Sequence, residues 1–166
     1  MPDELRNMYF EHGADGMSNL ERLDALFVIW AFLFQIVLIV HFALRKWLFD
    51  VAMRYGLIVY GLSVPAVVIS IILLLGGKTW SLWLGGFIYL VWAVYGYSVE
   101  YVRKIQWRNP IHWQILGPYV FLYLATIMFY WWPLGLISRP LWFVYAVLFI
   151  ISTVLNATSH KVAPAS

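Results

Sequence analysis

At 166 residues, 63% of them hydrophobic, 19% aromatic and only 11% charged, this chain has too little polar surface to cover a soluble domain, so its exterior is expected to face lipid. Its formal charge of +3 is unevenly spread: Asp3, Glu4, Glu11, Asp15 and Glu21 crowd the first 21 positions, while the basic residues gather in short loops, a pattern of orientation in a bilayer and not of nucleic-acid binding. Cysteine is absent, which excludes disulfides, thiolate metal sites, iron–sulfur clusters and Cys nucleophiles.

Residues 1–19 read as a polar, acidic segment without the basic and apolar regions of a signal peptide. Leu5, Met8 and Tyr9 recur at helical spacing, as in a short interfacial helix. Glu11, His12 and Asp15 are metal-ligand types, but in this arm they read as solvated charges. Ser18-Asn19-Leu20-Glu21 fits a capping box, whose Ser and Glu side chains satisfy free backbone donors, and marks the start of the first long helix.

Residues 20–159 then divide into five apolar stretches, at about 22–47, 55–77, 79–102, 112–133 and 140–159. Each is close to the ~20 residues that cross a ~30 Å hydrocarbon core. The expected fold is therefore all-α: a five-span transmembrane helical bundle, followed by a short tail at 160–166. Arg45, Lys46, Asp50 and Arg54 mark the first loop and its flanks. Pro65, inside the second span, cannot donate to the carbonyl of Gly61 and should kink the helix there, with Ser63 or a neighbouring helix supplying a substitute donor. Gly61 and Pro65 are thus the hinge candidates. Gly76-Gly77-Lys78 reads as a tight turn. Asn109-Pro110 is a helix-start signal, and Gly117-Pro118 leaves two possible beginnings for the fourth span, near Ile111 or near Pro118. Trp131-Trp132-Pro133 closes that span with an aromatic belt and a breaker, before a short loop at 134–139.

The third span is the expected centre. Gly86, Tyr89, Ala93, Gly96, Glu100 and Arg103 fall on one face, and the small residues among them let neighbouring helices come close. Orientation follows from the Lys and Arg count. Loops 1–2 and 3–4 with the C-terminus hold seven, and the other side holds Arg6, Arg22, Lys78 and Arg139, which puts the N-terminus outside and the C-terminus inside.

On that topology His41, Glu100, His112 and Asn156 lie at a similar level near the inner ends of four spans. Polar groups inside a membrane are costly and are candidates for function, although this close to the boundary their tips also reach water and headgroups. Lys104 and Arg103 are ready partners for Glu100. His41 and His112 are the ligand type for a haem b between helices, with another apolar cofactor as the alternative. Gln35, near the middle of the first span, is expected to bond to another helix. No phosphate-binding loop, nucleophile elbow, zincin helix or dinucleotide fingerprint occurs, and the several Glu of a di-metal site are missing.

Three classes of function fit these residues. The first is non-enzymatic: a small integral subunit of a larger membrane assembly, or a module holding an apolar ligand such as a lipid, quinone or pigment. The second is a transporter or channel component using Glu100 and the Pro65 kink. The third is membrane redox or lipid chemistry near His41, Glu100 and His112. The expected partners are membrane lipid and either other membrane subunits or further copies of the chain, in a bacterial cytoplasmic membrane or an equivalent energy-conserving one.

Overall fold

Seven α-helices and one π turn make up the computed structural model, which describes residues 3–103, 105 and 112–159, with side chains from Arg22 onward except Met53. The described residues are 91% helical, with no strand among them, and five helical segments are long and apolar enough to cross a membrane. These are Arg22–Trp47, Arg54–Leu75, Trp80–Val102, Trp113–Ile137 and Arg139–Ser159.

Helix α1 (Asp3–Trp47) is continuous over 45 residues, so it does not start at Ser18 as the capping box suggested. No proline follows Pro2 in this stretch, and Gly13 and Gly16 cost a helix only ~1 kcal/mol each, so nothing in the backbone forces a stop. The side chains of residues 3–21 lie outside the described part, as do Lys104, Asn109-Pro110 and the tail. Leu48 alone separates α1 from α2 (Phe49–Gly61), so the expected first loop is largely helical.

The second span is split. α2 ends at Gly61, Leu62 forms the joint, and α3 (Ser63–Leu75) carries Pro65 in its first turn, where a missing N–H is tolerated. The substitute bonds differ in detail from the expectation. Ser63 Oγ donates to the Tyr60 carbonyl at 2.7 Å, and Tyr89 Oη, from the next span, donates to the Val59 carbonyl. A membrane interior leaves no water for these carbonyls, which is why both a local and an interhelical hydroxyl are recruited at the break. α3 then closes in a Schellman turn: Lys78 N–H donates to Leu73 O at 3.0 Å and Gly77 N–H to Leu74 O at 3.1 Å, with Gly77 at φ 71°. Lys78 Nζ reaches back to Asp24 of α1 at 2.5 Å and ties the two spans together at that end.

α4 (Trp80–Tyr97) runs directly into the π turn Ser98–Val102. α5 (Trp113–Trp131) begins next to Ile111, the earlier of the two expected starts, and continues through Pro118. The expected loop at 134–139 is instead the short helix α6 (Leu134–Ile137), leading at once into α7 (Arg139–Ser159). Pro133 and the fully buried Leu134 turn the chain there, and Trp131 leaves the belt position to stack on Trp142 at 4.8 Å and donate its Nε1–H to the Trp142 carbonyl at 3.0 Å.

In cross-section α4 packs against α3 on one side and α5 on the other, while α1 packs against α7 and α2. α5 also touches α7 and α1, which closes the ring around an interior of aromatic rings. The third span is the most buried of the five, at 44%, as its small-residue stripe implied. Gly86 is the contact point with α3: a Cβ there would lie 2.6 Å from the Ala66 carbonyl oxygen and would overlap Ser70 Oγ. Around it Trp92, Tyr89, Tyr130, Tyr145, Phe27 and Phe34 are fully enclosed. Other tryptophans are exposed in two groups, Trp47 and Trp113 at the Glu100 end of the bundle and Trp80 and Trp132 at the opposite end, as belts at two membrane surfaces would be.

Candidate functional site

The membrane-length helices contain two described carboxylates. Asp24 is matched by Lys78 at one end. Glu100 stands at the other, on the π turn.

That turn is defined by the Arg103 N–H, which donates to Ser98 O at 2.9 Å, five residues back instead of four. Single-turn π segments widen the helix and recur at functional positions. Here the turn follows Gly96, where the absent side chain makes room for Tyr60: a Cβ would come within 2.6 Å of the Tyr60 ring. Tyr60 therefore packs against α4 at Gly96 and donates its hydroxyl to Glu100 Oε2 at 2.8 Å. The ring also contacts Trp92, at 5.8 Å between centroids, and Tyr101, edge-on at 6.0 Å.

Three further elements complete the surroundings. From α5, Tyr119 comes within hydrogen-bonding reach of Tyr60 and packs against Trp92 at 5.5 Å. From the π turn itself, Tyr101 stacks on Tyr97 at 5.6 Å and leans over α2, its hydroxyl 3.1 Å from where a Cβ at Gly56 would stand. His41 of α1 borders the same spot, 3.6 Å away. Arg45, one turn further along α1, acts electrostatically on Glu100, Tyr119, Tyr101 and His41. The result is a carboxylate set among tyrosines and flanked by a guanidinium, at the junction of four spans. Such a site accepts hydrogen bonds from a donor-bearing group and offers aromatic faces and edges to a cation.

Of the residues singled out from the sequence, His41 stands near the Tyr101 hydroxyl at Gly56, and Tyr101 follows Glu100 in the chain. His112 is exposed at the first turn of α5 and forms a shallow surface depression with Trp113, Gln114 and Ile115. Asn156 is half-buried on α7, and no hydrogen bond among the described residues uses its side chain. Gln35 is fully buried away from this end and donates to Ser152 Oγ at 2.7 Å and to the Leu148 carbonyl at 3.0 Å, linking α1 to α7. Gly61 is exposed with open space about it, and Pro65 lies in the first turn of α3 beyond the Leu62 joint. Among the described residues no three His, Asp or Glu side chains gather as metal ligands would.

The sequence reading missed Tyr60 and Tyr119 and counted Arg45 only as a loop charge. A signal was present: Tyr119, Tyr123 and Tyr130 recur at spacings of four and seven, which puts three hydroxyls on one face of α5. Tyr123 and Tyr130 are both buried on that face. No family model matches the chain, and no curated protein or solved structure matches it either. The described chain is an all-helical bundle with five membrane-length helices and a tyrosine-bonded carboxylate at one end.

Proposed function

We propose that this protein is a non-enzymatic membrane module that binds an amphiphile, with the hydrogen-bonding head of that molecule at Glu100 and its apolar part against the lipid-facing surface of the bundle. The observation that carries this reading is the Tyr60–Glu100 pair: a carboxylate kept within the apolar span length, in reach of two tyrosine hydroxyls and beside a π turn. Intramembrane carboxylates are expensive, and such arrangements are retained where they meet a ligand or an ion. The charge count supports placing this end at the inner leaflet. A bacterial cytoplasmic membrane is the setting we infer for it.

The interior supports binding over transport. The rings of Trp92, Tyr89, Tyr130 and Phe34 fill the space between the spans, so a solute has aromatic side chains in its way, not a lined passage. A subunit role has its own support in α7, of whose span only 11% is buried within the bundle. Such a helix has most of its surface available to lipid or to a neighbouring membrane subunit.

Native mass spectrometry on gently extracted protein, paired with an absorption spectrum, tests these readings together. A retained lipid-class molecule that is lost in Glu100→Gln is the expected result. A co-purifying membrane subunit would favour the assembly role, and a coloured cofactor would revive the His41 and His112 reading. Solute flux in reconstituted vesicles that stops in Glu100→Gln would replace binding with transport.

A further inference from the structure

The groups around Glu100 are more specific than a generic polar end. The carboxylate accepts from Tyr60 on Oε2, and three phenol rings, Tyr60, Tyr101 and Tyr119, stand beside it with Trp92 behind them. A carboxylate among aromatic rings is the chemistry that recognises an ammonium, through charge, accepted hydrogen bonds and the negative faces of the rings. An ammonium alone would be opposed by Arg45, one helical turn along α1 from His41, which borders the Tyr101 hydroxyl at Gly56. A head group that carries a phosphate next to its ammonium turns that opposition into a second contact, because a guanidinium matches phosphate oxygens in a fork. Arg45 and Glu100 each stand two residues before the end of their spans, so both groups lie at the head-group end of the bundle.

Access is from the side. Tyr97, stacked on Tyr101, is 43% exposed, so the side of the bundle beside the π turn opens toward lipid. Gly56 keeps the α2 surface low at this point, which is what allows Tyr101 to lean across it.

We propose that the Glu100 site binds the phosphoethanolamine head of a membrane phospholipid, the primary ammonium on Glu100 and its tyrosines and the phosphate on Arg45. This rests on the amphiphile-binding reading above and names its ligand. A primary ammonium is favoured over a quaternary one because it has N–H groups to donate to Glu100 and the phenol oxygens, and a quaternary ammonium has none.

The test is lipid retention by native mass spectrometry after equilibration in an equimolar mixture of phosphatidylethanolamine, phosphatidylcholine and phosphatidylglycerol with matched acyl chains. Wild type is expected to retain phosphatidylethanolamine preferentially, with retention falling about tenfold in Glu100→Gln, the scale of one charge-assisted hydrogen bond. Arg45→Gln, half-buried in the last turn of α1, is expected to lower retention as well; should Glu100→Gln fail to fold, this variant decides. Equal retention of all three lipids, still lost in Glu100→Gln, would overturn the ammonium assignment and leave the binding reading standing. Retention unchanged in both variants would overturn the two together.

Discussion

The hydroxyl of Tyr60 and the carboxylate of Glu100, 2.8 Å apart, join two places where spanning helices leave α geometry: the Leu62 joint of the second span and the π turn of the third. Each irregularity releases backbone groups that a membrane leaves without water, and each lies within a turn of a tyrosine that reaches across to the other helix. Tyr89 Oη holds the Val59 carbonyl one residue from Tyr60. Side chains of the third span therefore close the break in the second. Replacing Tyr60 by Phe keeps the ring against Gly96 and removes only the donor. The expected cost is ~1 kcal/mol, typical of an interhelical hydrogen bond in a membrane, read as a shift in the unfolding midpoint when sodium dodecyl sulfate is titrated into mixed micelles.

Two glycines on adjacent spans should respond in opposite directions. At Gly86 a methyl group meets the Ala66 backbone, which cannot rotate away, so Gly86→Ala is expected to lose ~1–3 kcal/mol through overpacking. At Gly61 a methyl group meets nothing within 4 Å, so Gly61→Ala is expected to be neutral or to gain up to ~1 kcal/mol from helix propensity. The same micelle titration reads both. A loss at Gly61 equal to that at Gly86 would show that the two positions are not distinguished by the packing described here.

Among the described residues, the side-chain hydrogen bonds between α1 and α7 come from one amide, Gln35. Gln35→Leu removes the bonds to Ser152 and Leu148 and is expected to cost ~1 kcal/mol. The loss should appear as faster hydrogen exchange in α7, with α3 and α4 unaffected, since their contact is made by Gly86 and Ala66. Uniformly faster exchange across all helices would mean that α7 does not open as a separate unit.

Topology is checked by cysteine labelling in the naturally cysteine-free chain. Cysteine at Arg139 should react with an impermeant maleimide from outside, and cysteine at Arg103 from inside; both positions are exposed. Lys78 is a poorer reporter than its loop position suggests, because its side chain is 6% exposed in the pair with Asp24. The opposite labelling pattern would move the Glu100 site to the outer leaflet.

Much of the architecture was legible in the residues alone. Five apolar runs of membrane length, the turn at Gly76-Gly77 and the small-residue face of the third span follow from local chemistry: hydrophobic length, a glycine free to take positive φ, and helical periodicity. These depend on neighbours within a few positions, which is the range over which a sequence states its own structure. The helical course of residues 49–53 and 134–137 was not legible, because the charges at Asp50 and Arg54 and the breakers Pro133 and Gly135 read as loops, and surface loops and interfacial helical turns share one composition. Nor was the full membership of the Glu100 site. His41, Asn156 and His112 sit at similar depth along the chain, yet depth is one coordinate of three. Rotation about each helix axis and the order of helices around the ring decided that Glu100 meets Tyr60, Tyr101 and Tyr119 while His112 stays on the surface. Those choices are made by the close approach at Gly86 and Gly96, by the interlocking of Trp92, Tyr89 and Phe34, and by the π turn that re-aims the end of the third span. Such long-range packing couples residues tens of positions apart, and no local pattern encodes it.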